Sequence, residues 1–190
     1  MKPKTICMLI TVLGVIPLLS YAFLARSELR KSGAAGVNGG FETTQAGLPV
    51  NWICYTAKST GVGDHDLVLD TTKPKEGRQS LKFIVRQCSP KGGRFSPGVS
   101  QEFKAIPGET YTVSFWARNE GAEFVARAGA VNAFNGRYKT VVKTNESFTT
   151  WRQFTGTVSV PQDMQNIRFE LNILGPGVFS IDDFRIEQTK

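Results

Sequence analysis

Apolar and polar residues alternate with a period of two in four short segments of this chain. The segments are 81–86, 111–118, 154–160 and 167–173. In 111–118, for example, Tyr, Val, Phe and Ala alternate with Thr, Ser, Trp and Arg. Successive side chains of a β-strand point to opposite faces, so this pattern predicts strands with one buried face. From Val37 onward no helical period of useful length appears.

Glycine, proline and asparagine mark turns between these segments. They occur at 74–77, 91–97, 107–108, 135–136 and 175–177. Many short strands at this spacing, each with one apolar face, predict two packed antiparallel sheets. We therefore expect an all-β fold, a two-sheet antiparallel β-sandwich with jelly-roll topology, over residues 37–190.

The first 25 residues form a separate segment. Two lysines precede an apolar run from Ile6 to Ala25, which is typical of an export signal. Two interpretations are open: a signal peptide cleaved after Ala22, or an uncleaved membrane anchor, because about 20 apolar residues can span a bilayer. Both place the rest of the protein outside the cytoplasm, secreted or anchored. Residues 26–36 are small, charged and glycine-rich, and we interpret them as a linker.

Length and charge narrow the choice of partners. The chain of 190 residues is long enough for one domain, and its net charge is +7. Residues 37–190 hold 18 of the 23 basic and 15 of the 16 acidic residues, which leaves a net charge of +3. That charge is too small and too evenly spread to indicate a nucleic-acid partner. It permits an acidic glycan or an anionic surface without indicating either.

Three cysteines occur, and Cys7 lies within the export segment. The predicted domain therefore holds one pair, Cys54 and Cys88. An even count in an exported protein favours a disulfide, and two buried free thiols are the alternative. Neither cysteine has a Cys or His neighbour at the spacing of metal ligands, so metal binding by the pair is not expected.

No constellation of residues in the sequence indicates catalysis. His65 is the only histidine and stands between Asp64 and Asp66 on what we predict to be an exposed turn. No nucleophile elbow, phosphate-binding loop or histidine-rich metal motif occurs. A glycosidase needs two carboxylates across a cleft, and Glu170 is the one acid that we expect to face a cleft. We therefore predict that the protein is not an enzyme.

Seven local signatures follow one another in a fixed order along the predicted domain. They are the segments 38–42, 47–52, 76–81, 107–111, 115–118, 151–154 and 180–186. Together they resemble the galactose-binding-like carbohydrate-binding modules of families 4, 9 and 22, which are often appended to xylanases and cellulases. The resemblance covers residues 37–188. It implies a non-catalytic module that binds a polysaccharide or glycan, of unspecified sugar, and it places Trp52 and Trp151 in the core.

The resemblance also implies a structural calcium ion that joins the first strand to the last. The ligands would be the carboxylates of Glu42 and Asp182 with the backbone carbonyls of Gly40 and Gln79. Calcium prefers several hard oxygen ligands, and this set supplies them. The alternative is that both acids are surface charges at strand ends.

Sugars present apolar ring faces and a rim of hydroxyls, so a site needs exposed aromatic planes beside hydrogen-bonding side chains. In the modules that this chain resembles, the site is a cleft on the concave sheet. Our candidates lie on outward-facing strand positions, in the loop 91–97 and around the Asn135-Gly136 turn. They are Trp116, Arg118, Phe95, Asn132, Phe134, Arg137, Tyr138, Glu170 and Asn172, with Arg94 and Arg168 beside them. For each, packing under a loop or a cross-strand charge pair is the alternative.

A second function on the same fold stays open, namely a protein-interaction or envelope-assembly module outside the cytoplasm. The two hypotheses predict different surfaces. Exposed aromatic rings that line one open groove would favour a sugar ligand. A flat apolar patch larger than a few hundred Å² would favour a protein partner.

Overall fold

Short strands separated by turns make up nearly all of residues 38–61 and 63–189, the part of the chain that the computed structural model describes. The predicted export or anchor segment, residues 1–25, and the predicted linker, residues 26–36, lie outside the described residues. Within the described ranges, no helix is both long enough and apolar enough to cross a membrane.

The described residues form twelve strands and two short helical turns. The strands are β1 Thr44–Gln45, β2 Leu48–Pro49, β3 Ile53–Tyr55, β4 Gly63–Asp70, β5 Ser80–Cys88, β6 Gly98–Lys104, β7 Thr110–Glu120, β8 Phe124–Val131, β9 Gly136–Thr144, β10 Phe148–Ser159, β11 Asn166–Ile173 and β12 Gly177–Gln188. The helical turns are α1, Ala57–Thr60, and a 3-10 turn, Gly93–Phe95.

Ten of these strands form two five-stranded sheets in which every pairing is antiparallel. The sheet with the order β3-β6-β11-β8-β9 is called the front sheet here, and the sheet with the order β10-β7-β12-β5-β4 is called the back sheet. Strands β1 and β2 form a separate small hairpin. The predicted two-sheet antiparallel β-sandwich is confirmed.

Aromatic rings from both sheets meet in the core between them. The ring centroids of Phe169 on β11 and Phe184 on β12 are 4.6 Å apart, and Trp52 packs edge-on against Phe184 at 5.3 Å. Contacts of this kind add about 0.5–1.5 kcal/mol each beyond the burial of apolar area. Trp52 is buried, as we predicted.

Trp151 differs from the prediction that it belongs to the core. It is half-buried on the outer face of the back sheet, at a register irregularity of β10. Its Nε1 donates a hydrogen bond to the carbonyl of Lys73 over 3.2 Å. The guanidinium of Arg118 lies 4.7 Å from its ring. An indole N–H needs an acceptor, and the loop that crosses the outer face supplies one.

His65 also differs from its prediction as an exposed turn residue. It is buried on β4, and its Nε2 donates to the carbonyl of Tyr55 over 3.2 Å. The flanking Asp64 and Asp66 belong to β4, which pairs with β5, and Arg86 on β5 contacts both carboxylates, at 2.6 and 2.9 Å. Opposite charges on neighbouring strands of this kind stabilise the pairing of β4 with β5.

Candidate functional site

The outer face of the front sheet carries an open groove with a volume of about 710 Å³. Its floor is formed by strand residues and its wall by the loop between β5 and β6. The floor side chains are Tyr55, Arg127, Tyr138, Arg168 and Glu170, and the wall is the segment 91–95.

Strand register brings the floor residues together. Glu170 on β11 lies between Arg127 on β8 and Ser100 on β6. Arg168 lies beside Gly129, which in turn pairs with Tyr138 on β9. A Cβ on Gly129 would lie only 2.6 Å from the Cα of Tyr138, so glycine at this position lets β9 approach closely. The ring of Tyr138 is thereby set at the groove, 42% exposed.

A hydrogen-bond network fixes the charged side chains on the floor. The Tyr55 hydroxyl accepts a hydrogen bond from Arg168 Nη2 at 2.9 Å and donates to Glu170 Oε1 at 3.3 Å. It also lies 3.0 Å from the hydroxyl of Ser100. Arg168 forms a further ion pair with Glu102 at 3.6 Å. Because Tyr55 is buried and holds both Arg168 and Glu170, these two groups keep their orientation without a ligand.

The loop wall presents an aromatic ring at the rim of the groove. Phe95 is 49% exposed, with Lys91 Nζ at 5.9 Å and the Arg94 guanidinium at 5.5 Å from its ring. The backbone there passes through Gly92 and Gly93, whose φ angles are +77° and +56°. Residues with a side chain rarely adopt such angles, so the shape of the wall depends on glycine.

Burial also affects the phenol of Tyr138. Desolvation raises the pKa of Tyr138 above its ordinary value. The hydroxyl is therefore protonated at neutral pH, where it serves both as a donor and as an acceptor.

The structure brings some of the predicted binding residues together in the groove. Phe95, Tyr138 and Glu170 line it, as do Arg94 and Arg168. Asn172 is buried beneath the loop wall and contacts the backbone of Gly93 instead of facing the groove.

The other predicted residues around the β8–β9 turn, Asn132, Phe134 and Arg137, do not line the groove. Asn132 Oδ1 accepts hydrogen bonds from the backbone N–H of Phe134 and Asn135, at 2.9 and 2.8 Å, which stabilises the turn. Phe134 projects from this turn and is 92% exposed. Arg137 pairs with Asp163 at 3.8 Å.

Trp116 and Arg118 are on the opposite side of the sandwich, which corrects their assignment to the cleft. Both belong to β7 of the back sheet. The ring of Trp116 is half-buried, with Lys75 Nζ 4.1 Å from its centroid. Arg118 packs on Trp151 and lies 3.8 Å from Asp70. Alternation shows which side chains point away from the core, but it does not show which of the two sheets carries the strand.

Three groove residues with side chains were not among the predicted ones. Lys91 lies in the same glycine-rich loop as Phe95, and Tyr55 belongs to the three-residue strand β3. Arg127 is the only charged residue in the sequence of β8, FVARAGAV. A single arginine in a strand of small and apolar residues is a signal that could have identified this position.

The residues predicted to bind calcium lie close to one another. A Cβ on Gly40 would be 3.6 Å from Glu42 Cγ and 3.9 Å from Asp182 Oδ1. Glu42 Oε1 accepts hydrogen bonds from the backbone N–H of Arg78 at 2.7 Å and of Gln79 at 3.1 Å. The Gln79 side chain donates to the carbonyl of Phe41.

The carboxylate of Asp182 is fully buried. Its Oδ2 accepts backbone hydrogen bonds from Lys75 and Glu76, at 2.7 and 3.1 Å, and burial raises the pKa of its carboxyl to about 6. In the described part of the chain, no three His, Cys, Asp or Glu side chains are grouped to hold a metal ion. A cation here would therefore need backbone carbonyls beside the two carboxylates. Such a set of hard oxygens fits calcium.

Cys54 and Cys88 are free, half-buried cysteines in this structure, on β3 and β5 respectively. Burial raises the pKa of Cys54 to about 11 and also raises that of Cys88. Both groups are therefore protonated thiols near neutral pH. The disulfide between them stays a prediction.

The sequence of this chain matches the model of a known protein family. Residues 33–176 match the family CBM_4_9, described as a carbohydrate binding domain. A search of curated protein sequences finds no significant match.

Solved structures with the same fold include xylan-binding modules and a domain of a bacteriophage tailspike protein. The CBM22-1 xylan-binding domain of Paenibacillus barcinonensis Xyn10C superposes with a TM-score of 0.55 at 17% identity, covering 80% of this chain and 92% of that domain. The CBM22-1-GH10 modules of Clostridium thermocellum xylanase 10B, complexed with xylohexaose, give 0.55 at 15% identity, covering 74% and 26%. The enzymatically active domain of the bacteriophage CBA120 tailspike protein 4 gives 0.59 at 12% identity, covering 84% and 21%.

Proposed function

This chain belongs to the CBM_4_9 carbohydrate binding domain family, and we propose that it binds a polysaccharide, without catalysis, in the groove of the front sheet. One observation supports this proposal above the others. The rings of Phe95 and Tyr138 are exposed at a single open groove whose floor holds oriented charged groups.

The chemistry of the groove suits a saccharide chain. The apolar faces of sugar rings stack on aromatic rings, which Phe95 and Tyr138 provide. Sugar hydroxyls both donate and accept hydrogen bonds, and Arg168 and Glu170 offer donors and acceptors side by side. Since Tyr55 already holds these two groups in place, little conformational entropy is lost on binding.

Binding without hydrolysis is supported by the acids of the groove. Glu170 is the only carboxylate among the side chains that line it in the described structure. Hydrolysis of a glycosidic bond by the common mechanisms uses two carboxyl groups about 5–9.5 Å apart. A single carboxylate that is engaged by Tyr55 and Arg168 is better suited to holding a sugar hydroxyl.

The distribution of the exposed apolar side chains supports a protein partner less well than it supports a sugar ligand. Ile53 lies on β3 of the front sheet, Val68 on β4 of the back sheet, and Phe134 at the β8–β9 turn. They are therefore spread over separate elements. Phe95 and Tyr138, in contrast, meet at one groove, which is the arrangement expected of a sugar-binding surface.

We extend the proposal to a structural calcium ion and to a location outside the cytoplasm. Gly40, Glu42, Gln79 and Asp182 would hold the ion, whose role would be to stabilise the fold. The basic and apolar sequence of residues 1–25 supports export, either as a cleaved signal or as an anchor.

Affinity electrophoresis and titration calorimetry of the domain from Val37 onward test the proposal. Xylan and xylohexaose are the first ligands to use, because two proteins of the same fold are a xylan-binding domain and a module complexed with xylohexaose. Glucans, mannans and uronic-acid polymers complete the panel. Retardation by at least one polysaccharide, with no release of reducing sugar, is expected. No retardation by any of them would overturn the proposal.

A further inference from the structure

Two arginines of the groove differ from all others in the described chain. Nine arginines lie within residues 38–61 and 63–189. Seven of them have a carboxylate oxygen within 4.0 Å: Arg78, Arg86, Arg118, Arg137, Arg152, Arg168 and Arg185. The two without a described carboxylate partner are Arg94 and Arg127, and both line the groove. Unpaired guanidinium groups are thus concentrated at the site where a ligand would lie.

Arg127 is the more informative of the two because it is half-buried. It lies on β8 opposite Glu170, but Glu170 is engaged by Tyr55 and Arg168 instead. Its Nη1 lies under the loop wall, 3.7 Å from the position that a Cβ on Gly92 would take. A charge withdrawn from water without an anionic partner is unfavourable, so an anion that arrives with the ligand would be bound favourably.

The loop wall carries two positive charges, those of Lys91 and Arg94, beside the ring of Phe95. Lys91 and Arg94 lie 5.9 and 5.5 Å from the ring of Phe95. Lys91 also has no carboxylate within ion-pair distance among the described residues. A sugar stacked on Phe95 would therefore place its substituents within reach of both cations. Counting Arg168, four basic side chains and one acidic side chain line the groove.

From this charge distribution we infer that the groove selects a polysaccharide that carries uronic-acid carboxylates over a neutral polysaccharide of the same backbone. The inference rests on the proposed function, since it names the class of sugar for the same groove. The planar guanidinium fork matches a carboxylate in a bidentate arrangement. Arg94 and Arg127 have no carboxylate within ion-pair distance among the described residues, whereas each of the other described arginines has one.

The test compares glucuronoxylan with the same polymer after its carboxyl groups have been reduced to alcohols, so that only the charge differs. At 0.1 M NaCl we expect at least tenfold tighter binding of the native polymer. At 1 M NaCl this ratio should decrease, because the screening length falls from about 10 Å to about 3 Å. Equal affinity for the two polymers would overturn the inference and leave the proposed function intact. Binding of neither polymer, nor of any other polysaccharide of the panel, would overturn both.

Matched variants distinguish the effect of the groove charges on binding from the effect of the net charge of the protein. R127Q and R94Q each remove one positive charge at the groove, and R152Q removes one from β10 of the back sheet. The preference for the native polymer should fall at least threefold in R127Q and in R94Q, and it should be unchanged in R152Q. An equal fall in all three would show that net charge alone is responsible and would overturn the inference. Arg94 is exposed, so R94Q should fold, and it is compared with R152Q if R127Q does not fold.

Discussion

The side-chain amide of Asn172 forms two hydrogen bonds with the backbone of Gly93. The N–H of Gly93 donates to Asn172 Oδ1 over 2.9 Å, and Asn172 Nδ2 donates to the carbonyl of Gly93 over 2.9 Å. A buried residue of the sheet thus holds the loop that carries Phe95 and Arg94. The position of these two side chains at the groove therefore depends on Asn172, a buried residue that a ligand in the groove would not contact.

Replacing Asn172 with alanine should therefore weaken both the fold and the site. Two hydrogen bonds to a buried backbone segment are lost, which should lower the free energy of unfolding by about 1–3 kcal/mol. Polysaccharide affinity should fall as well, because Phe95 is no longer fixed. Urea denaturation and titration calorimetry at a temperature where the variant is folded measure the two effects.

Asn132→Ala is the matched control for this prediction. Asn132 also uses its side chain to hold a turn, between β8 and β9, but that turn is outside the groove. The control should lose stability and keep its affinity. If Asn172→Ala lost stability alone, the loop would not depend on Asn172 for its binding geometry.

Removing the groove rings should abolish most of the binding without unfolding the protein. Tyr138→Ala and Phe95→Ala each remove a partly exposed ring, and we expect at least a tenfold loss of affinity, equivalent to about 1.4 kcal/mol. Their melting temperatures should change little, since neither ring belongs to the core.

Phe134→Ala and Trp116→Ala provide controls for these variants. Phe134 is more exposed than either groove ring but lies at the β8–β9 turn, and Trp116 lies on the back sheet. Both should bind the polysaccharide as the unchanged protein does. A loss of affinity in Trp116→Ala, with the groove variants unaffected, would place the site on the back sheet.

Chelation should destabilise the fold if the proposed calcium ion is bound. A ligand present at about 100 times its dissociation constant stabilises the folded state by about 2.7 kcal/mol, which for a domain of this size is roughly 5–10 °C in melting temperature. EDTA should lower the melting temperature by that amount, and added calcium should restore it. Asp182→Asn should remove this dependence, while Glu187→Gln, an exposed change near the end of β12, should keep it. Identical melting temperatures in EDTA and in calcium would show that the fold is not stabilised by a calcium ion.

Acid should weaken the fold through Asp70. The hydroxyl of Thr72 donates to Asp70 Oδ1, and this bond, with the backbone N–H of Thr72 and the nearby Lys82, holds the pKa of Asp70 at about 2, below its ordinary value of 3.8. A carboxyl whose pKa is lower in the folded state contributes stability above its unfolded pKa and loses it as the pH falls. The contribution of Asp70 should therefore be complete above about pH 4 and disappear toward pH 2.

Thr72→Val measures this contribution, because it removes the largest cause of the lowered pKa and keeps the shape of the side chain. Its free energy of unfolding, from urea denaturation between pH 2 and pH 6, should be lower than that of the unchanged protein above pH 4. The two curves should converge at the acid end. A constant difference over the whole range would mean that the hydroxyl acts on the fold without involving the Asp70 charge.

Much of the sandwich could be predicted from the sequence, because burial on one face imposes a two-residue period. The alternation at Tyr111, Val113 and Phe115 gave strand β7 and its buried face correctly. The same alternation placed Trp116 correctly on the outside of its strand. Which side of the sandwich that strand occupies depends on pairings between distant segments, and a local pattern carries no information on them.

The residues that line the groove could also be predicted only in part, because some of them come together only through contacts between distant segments. The sequence indicated Phe95 and Tyr138, which line the groove, because an aromatic residue in a predicted turn or loop has no local core to fill. Their role in binding stays a prediction. Arg127 was missed, since its position becomes special only when β11 and the loop wall are packed beside it. His65 was misplaced because its segment pairs with β5, about 20 positions further along the chain, where His65 lies opposite Val85.

The floor of the groove joins residues that are far apart along the chain, as the hydrogen bond between Tyr55 and Glu170 shows across 115 positions. No short fragment of the domain therefore contains the whole binding surface, and occupancy of the groove reports on the assembled sandwich. Saccharide binding and global unfolding are for this reason thermodynamically linked. Ligand should slow hydrogen exchange even at core amides of the back sheet, which the saccharide never contacts, because their exchange requires the whole domain to open.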